Sequence, residues 1–543
     1  MRKLSTLFCA VLMTLSAMAT DYKGNLTVSI NGEGTTKPAT ISIVENAGKY
    51  NLSILNFMLS EGEYVFPVGN IVIENVTGAV AGNLTTLYVN KNITIQKGNA
   101  AGIADNAWLG PMLGEVPVKM SSSFNTNGLL GVNIDIDMVS TLGQVIKVTF
   151  ENVGNHFQMP NSDFETWSDK NKAPRHWHGF ESPKGGFATF VKKDNKLVSS
   201  NWSRPGSVGS KSALLTCSKV AGFIANGTMT NGVLNAGSLS ADDAANHSET
   251  DLSSTSKDAN GDPFSTPINA KPDAVKFWMR FVQADPSATA DHPYAAFNAV
   301  ITNGTYYQDP EDKTYKNKVA VAAPNLENMR AGDWRQVTCD FDYAKYASNK
   351  ADAKAILMTF STNATPGKGS IKEEGKYVKK TVAVDSVYID DLELVYAAGI
   401  KSISFKGQAL DLATIQTTGI ELAADEAVTA ADFEVVKDGE DAKVTKLVEA
   451  TADGYVAVIT AVSADLKTQV AYEINIKKPA APVLKGDING DGVLDVADAS
   501  ALIDMVLNSG TCTEVADVNG DGALDVADVT HHFDFRINNN KWK

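Results

Sequence analysis

The chain has 543 residues, with 63 acidic and 48 basic side chains and a formal net charge of −15. That balance argues against nucleic acid and anionic membrane as partners, and it suits a calcium binder or an extracellular protein. Four cysteines in a chain of this length make no disulfide framework, and the length suits several domains, each able to bury its own core.

The chain opens with MRKLSTLFCAVLMTLSAMAT. Arg2 and Lys3 form a basic start, Leu4 to Leu15 an apolar core, and Ala17 and Ala19 occupy the small-residue positions of a cleavage site. The pattern predicts a secretory signal peptide over residues 1–19, cut after Ala19. About a dozen apolar residues are too few for a ~20-residue span. Cys9 lies inside the apolar core and not at the cut, which argues against a lipoprotein. No later segment has the apolar length to cross a bilayer, so the expected location is extracellular or cell-surface-associated, with the periplasm a place of transit. Removing the two charges of Arg2 and Lys3 takes the net charge to −17 and leaves Cys217, Cys339 and Cys512. Cys217 and Cys339 both fall in strand-like stretches, and whether they pair is open at this point.

Residues 20–153 alternate with period two in about eight or nine short runs, among them NLTVSI, ATISIVEN, LLGVNIDIDM and VIKVTFEN. In GVNIDIDM, Val132, Ile134, Ile136 and Met138 face one way, and Asn133, Asp135 and Asp137 the other. Consecutive antiparallel strands of this number close into an up-and-down barrel. The region resembles the calycin-like domains of secreted bacterial proteins. Such a barrel either holds a small apolar ligand or fills its lumen with its own side chains. Trp108, the one tryptophan of this region, is expected to plug one end.

Residues 154–398 hold five of the seven tryptophans. The region opens with PNSDFETWSDKNKAPRHWHGF, closes with SVYIDDLELVY, and between them carries a long polar insert at about 238–272 and the strand-like runs AVKFWMRF and DWRQVTCDF. It resembles the family called the putative carbohydrate metabolism domain and, more loosely, the jelly-roll carbohydrate-binding modules. Trp278 and Trp167 are expected in the core. Trp177 and Trp202 sit among polar, turn-rich residues and are expected to form an exposed platform for a glycan. His176 and His178 alternate on one face of an extended strand, a geometry that clasps a transition metal, but no third ligand is identifiable, which favours a surface or hydrogen-bonding role. The jelly-roll resemblance implies a structural calcium where the opening Phe-Glu and closing Asp-Asp strands meet, which would be held by Glu165 and Asp391, with Asp390 as the alternate. A glycosidase needs two carboxylates ~5–9.5 Å apart, and sequence spacing cannot single out a pair. There is no G-x-S-x-G, H-E-x-x-H or Cys/His pair of known spacing. Catalytic residues are therefore unassigned, and enzyme status is open.

Residues 399–478 read as a small sandwich, with strands in IKSISFKG, FEVVKD, YVAVIT and AYEINI, and resemble the Ig-like spacers of multimodular secreted proteins. A Pro/Ala linker follows over 479–485. Beyond it, DINGDGVLDVADAS returns thirty residues later as DVNGDGALDVADVT. Counted from Asp487, oxygen-bearing side chains fall at positions 1, 3, 5, 9 and 12: Asp487, Asn489, Asp491, Asp495 and Asp498. Gly492 takes the sharp turn at position 6, and Val493 offers its carbonyl at position 7. The second loop repeats this with Asp517, Asn519, Asp521, Gly522, Ala523, Asp525 and Asp528. Calcium takes six to eight oxygens at ~2.3–2.6 Å, and this spacing wraps hard oxygens round one centre. Leu494 and Leu524, at position 8, are expected to point inward.

Each loop is followed by a helical apolar pattern, but Pro479, Pro482 and Gly486 preclude a helix before the first. Paired loop-then-helix units with Asp at position 12 resemble a dockerin, here residues 486–543. The resemblance implies a plug folded by two calcium ions that docks into a cohesin domain on a partner protein. It assigns partner contacts to positions 10 and 11, here Val496, Ala497, Val526 and Ala527, where many dockerins carry Ser or Thr. His531 and His532 are expected to be surface or partner-facing residues of the second helix.

The expected fold is thus mainly β and multidomain: a calycin-like barrel, a jelly-roll-like sandwich, a small Ig-like sandwich and a small all-α calcium-binding dockerin. The favoured function is a secreted, non-catalytic glycan-binding or adaptor protein attached to a cohesin-bearing assembly. The alternatives are a glycoside hydrolase or other enzyme of polysaccharide catabolism with its site in 154–398, and a small-ligand carrier built on the barrel. Expected partners are a cohesin-domain protein and a polysaccharide or glycan, with no nucleic acid and no membrane span.

Overall fold

Tight turns and period-two alternation together close the first strands into a barrel. The structure, a computed structural model, describes residues 19–61, 64–152, 157–170, 172–192, 196–374, 381–479 and 484–537. The expected signal peptide up to residue 18 and most of the expected linker lie outside the described residues. The chain divides into two compact units, one taking in the chain to Thr417 with Thr429–Glu449 and Val456–Ile474, the other Thr418–Val428, Ala450–Tyr455 and the chain from Asn475.

In the first unit, β1 (Ala19–Ile30), β2 (Glu33–Asn46), β3 (Lys49–Glu61), β4 (Tyr64–Ala81), β5 (Leu84–Thr94), β6 (Glu115–Asn125), β7 (Leu130–Met138) and β8 (Gln144–Asn152) form a closed barrel in chain order. Antiparallel pairing from Gly24↔Asn152 to Ile30↔Ile146 closes it. Asn31 and Gly32, with φ of 49° and 95°, make the two-residue turn between β1 and β2, whose backbone twist matches the strands it joins. The inward row, including Leu26, Ile41, Leu52, Ile73, Met120 and Phe150, is buried. It leaves an apolar cavity of about 20 Å³, room for about one water. The interior is therefore filled by its own side chains. Pairing of β2 with β3 is confined to Ser42–Asn46 and Lys49–Ser53. Beyond that the two strands part around a cleft of about 200 Å³, lined by Leu26, Lys37, Pro38, Ile54 and Phe57 among others. Trp108, in the segment that connects β5 to β6, is buried, and a Cβ on Gly98 would come within 2.4 Å of its ring.

The tryptophan-rich region is a sandwich. One five-stranded sheet runs Gly332–Asp340, Ala274–Val282, Ser386–Val395, Ser212–Thr216, Leu197–Ser200. The other is built on Thr228–Thr230, Ala355–Ser361, Ala296–Thr302 and Lys318–Ala322, with Thr266–Pro267 paired to its second strand. Phe277 of the first sheet meets Phe297 and Phe360 of the second at ring separations of 4.6 and 5.0 Å, so the apolar faces share one core. The polar insert is not a plain loop, since it supplies the strands Asn246–Glu249 and Thr266–Pro267. Cys217 and Cys339 are buried free thiols and do not pair, and burial pushes them up to about 11 and about 12.

Residues 399–478 supply a three-stranded and a four-stranded sheet. Within the first unit this segment packs on the outer wall of the barrel, a contact the sequence did not announce. Leu84 and Leu129 meet Val462 and Leu466, the hydroxyls of Thr86 and Thr445 bond at 2.6 Å, and Glu473 accepts from Tyr88 and Asn90. A Cβ on Gly131 would fall 1.9 Å from the Leu466 carbonyl oxygen, so only glycine allows this approach.

Candidate functional sites

The second unit holds the repeated loops, and their geometry repeats nearly bond for bond. Asp487 accepts from the N–H groups of Gly490 (2.9 Å) and Gly492 (2.8 Å), and Asp517 from those of Gly520 (2.7 Å) and Gly522 (3.0 Å). Asn489 accepts from Asp491 N–H and Asn519 from Asp521 N–H, both at 2.9 Å. Asp491 and Asp521 accept from Val493 and Ala523. Gly492 and Gly522, with φ of 79° and 83°, turn the chain where a side chain would be strained. Each loop then runs into a helix, Val496–Leu507 or Val526–Ile537.

Asp495 caps the first of these helices by accepting from Ala497 N–H, and Asp525 accepts equivalently from Ala527. Asp498 and Asp528 are wholly buried. Asp498 accepts from Ile488, Asn489 and Asp495, and Asp528 from Asn519 and Asp525. Burial alone would raise Asp498, but these N–H donors outweigh it and hold the carboxyl below its ordinary value. Leu494 is buried and Leu524 half-buried against Leu502, Ala516 and Val518. Among the described residues no three Asp, Glu, His or Cys side chains close on a common metal position, and the loop oxygens accept from the loops' own N–H groups. The donor set is all hard oxygen, which suits calcium and not a metal that prefers sulfur or imidazole.

Val496, Ala497, Val526 and Ala527 are all exposed, the two valines by 66 and 68%. His532 is corrected: it is wholly buried, with Nε2 3.0 Å from the Gly486 carbonyl, and so ties the second helix to the start of the first loop. His531 is half-buried.

In the sandwich, Trp177 is also corrected. It is fully buried against Phe164 and Phe360, with its indole N–H on the Pro160 carbonyl, so it offers no platform. Trp278, expected in the core, lies half-buried on the outer face, under Arg204. Trp167 is half-buried against the core. Trp202 is 46% exposed. It rests on the Arg280 guanidinium, 3.7 Å from its ring centre, and edge-on to Tyr388 at 5.2 Å.

Glu165 accepts from Ser210 and Lys211 N–H, while Asp391 takes Arg204 Nε at 2.5 Å and the Ser207 hydroxyl at 3.3 Å. The two carboxylates thus hold opposite ends of the loop 204–211. Asp390 accepts from Arg204 N–H, and burial pushes it up to about 6. His176 and His178 do not share a face, because His176 has φ of 67°. His176 lies 3.6 Å from Asp262, and His178 is buried 3.8 Å from Glu181 and 4.0 Å from Asp258.

Sequence reasoning missed Arg280 and Tyr388, which pack against Trp202, and Trp334, whose ring lies 6.1 Å from that of Tyr388. It also missed a second cluster in which Glu249 accepts from Tyr306 at 2.8 Å beside His247 Nε2 at 3.2 Å. His247 and Glu249 are two apart on one strand, a signal that was available.

Among the described residues no helix is long and apolar enough to cross a membrane. No curated protein matches the chain. A solved structure described as a "putative outer membrane protein" of Bacteroides fragilis is 10% identical, covering 63% of this chain and 96% of that one, with a TM-score of 0.17, too low to carry an argument. Two family comparisons are specific: residues 18–153 match the Calycin-like beta-barrel domain, and residues 485–531 match the Dockerin type I domain. The chain therefore carries a calycin-like β-barrel domain at its N-terminal end and a dockerin type I domain, which implies calcium and a cohesin partner, at its C-terminal end.

Proposed function

We propose that this is a secreted, non-catalytic glycan-binding or adaptor protein, held in a cohesin-bearing extracellular assembly by its dockerin. The duplicated loop-helix geometry carries the reading. Its parts are a signal peptide (1–19), the barrel (20–153), a carbohydrate-directed sandwich (154–398), an Ig-like sandwich (399–478), a linker (479–485) and the dockerin (486–543). Each loop holds one calcium ion, through Asp487, Asn489, Asp491, Val493 carbonyl, Asp495 and Asp498, or through Asp517, Asn519, Asp521, Ala523 carbonyl, Asp525 and Asp528. When bound, calcium supplies the charge partner that these clustered carboxylates lack. The residues themselves do the rest: the glycines turn each loop, Asp498 and Asp528 anchor it to its helix, and the exposed Val-Ala pairs face the cohesin. Glycan is taken by the sandwich face around Trp202, whose half-exposed ring suits the apolar face of a pyranose.

The test is retention of the full chain on immobilised cohesin domains, with calcium and then with chelator. Retention that survives chelation, or none on any cohesin, sinks the attachment reading. A second reading, a small-ligand carrier, has one supporting observation, the cleft between β2 and β3, and is opposed by the filled interior.

A further inference from the structure

Resting on the glycan reading above, we propose that the saccharide bound at the Trp202 face is acidic, a chain bearing uronate carboxylates or sulfate esters, and that Arg280 reads its charge. Alternation along Ala274–Val282 sends Lys276, Trp278 and Arg280 to the outer face of the sheet. Arg280 lies directly across from Tyr388 on one neighbouring strand, and Trp334 on the other neighbour lies 6.1 Å from the Tyr388 ring. Trp202 is stacked on the guanidinium, and Tyr388 links its ring to that of Trp334.

Three basic side chains reach this face, and their partners differ. Arg204 is bound by Asp391 at 2.5 Å, and Lys276 by Glu393 at 2.6 Å. Arg280 has only Asp333, at 3.3 Å, and the Asp333 side chain is 94% exposed. An ion pair so exposed is weak and easily displaced. Arg280 Nη1 is buried with no acceptor, and so is the indole Nε1 of Trp334. Buried donors are nearly always satisfied, so the orphaned Nη1 of Arg280, against the half-exposed Trp202, marks a place where an outside acceptor belongs, and the Trp334 indole on the neighbouring strand adds a second free donor. A neutral sugar hydroxyl supplies one weak acceptor. A carboxylate or sulfate supplies several in the plane of the guanidinium fork, and it replaces Asp333 charge for charge. Ring stacking on Trp202 then holds the sugar, and Arg280 selects the acid.

The experiment uses the full chain in calcium buffer, with tryptophan fluorescence and calorimetry. The probes are short galacturonate oligomers, their methyl esters with the same backbone, a sulfated galactan, and a panel of neutral polysaccharides. The expected result is binding of an acidic probe about ten- to a hundredfold tighter than of its neutral counterpart, the range for losing charged hydrogen bonds. Uronate and sulfate arms tell the two acids apart. Arg280→Gln should bring acidic and neutral probes to equal affinity, whatever neutral binding is lost with the support under the Trp202 ring, and Trp202→Ala should weaken both classes, with unchanged circular dichroism for each variant. Equal binding of acid and ester, or acid binding that survives Arg280→Gln, overturns the inference. Retention of neutral polymers alone overturns it while the glycan reading stands. No retention of any probe removes both.

Discussion

Asp495 and Asp498 clasp the first turn of the helix Val496–Leu507: Asp498 accepts from Asp495 N–H at 2.8 Å while the Asp495 side chain caps the helix through Ala497 N–H. These residues are also positions 9 and 12 of the proposed calcium loop, and on that reading the start of the helix and the metal site share the same carboxylates. Losing such a cap costs about 0.5–2 kcal/mol before any metal is counted. Asp498→Ala should therefore lower helical circular dichroism more than Ser500→Ala, and calcium should restore little of it. Chelation of the unaltered chain should unfold both loop-helix units and abolish cohesin retention. Spectra insensitive to chelator would refute this.

Trp177 and Trp202 should separate stability from binding. Trp177→Ala empties a fully buried site between Phe164 and Phe360 and should destabilise the sandwich by about 3–5 kcal/mol. Trp202→Ala, at a half-exposed position, should cost well under that and act on saccharide affinity. Urea unfolding of the two variants gives the comparison, and similar midpoint losses would contradict it.

Thiol counting checks the cysteines. In a folded chain lacking residues 1–19, a small aromatic disulfide reagent should label Cys512, which is exposed, and leave Cys217 and Cys339 unreacted until denaturant is added. Burial holds those two thiols in the protonated, unreactive form. Fewer than three thiols after unfolding would reveal a disulfide.

The His247–Glu249 pair should be visible in pH titration. Burial works against the His247 charge, but bonds to Glu249 and the Ala244 carbonyl outweigh it and raise its pKa above the ordinary 6.5. The hydrogen bond from His247 holds Glu249 below its ordinary 4.5. A raised histidine stabilises fully below its unfolded value and loses this as pH rises through its folded one. A depressed glutamate does the reverse, losing its contribution as pH falls. The pair should therefore contribute most between the two ordinary values. Histidine proton shifts should show His247 titrating above 6.5 and moving down in Glu249→Gln; an unmoved midpoint would rule the pairing out.

What was legible in the chain was what local chemistry decides. The barrel strands declared themselves by alternation with Asn-Gly turns, and the loops by carboxylates at fixed spacing. The two tryptophans went the other way. The apolar richness of AVKFWMRF points Trp278 to the core, yet alternation sets it beside Lys276 and Arg280 on the outer face. The polar neighbours of Trp177 point it to the surface. That stretch turns at His176, however, so alternation does not apply, and a distant Phe360 decides the outcome. His532 was misjudged similarly, since its partner, Gly486, lies across the repeat.

The close approach of Gly131 to Leu466 has a consequence for dissecting the protein. A boundary drawn in sequence at residue 153 is not a boundary in energy. Cutting there would strip a seam from the barrel's outer wall, baring Leu84 and Leu129 and leaving the Thr86 hydroxyl without Thr445. The barrel is a neighbour-dependent piece, and its folding should be judged in the company of residues some three hundred positions further along the chain.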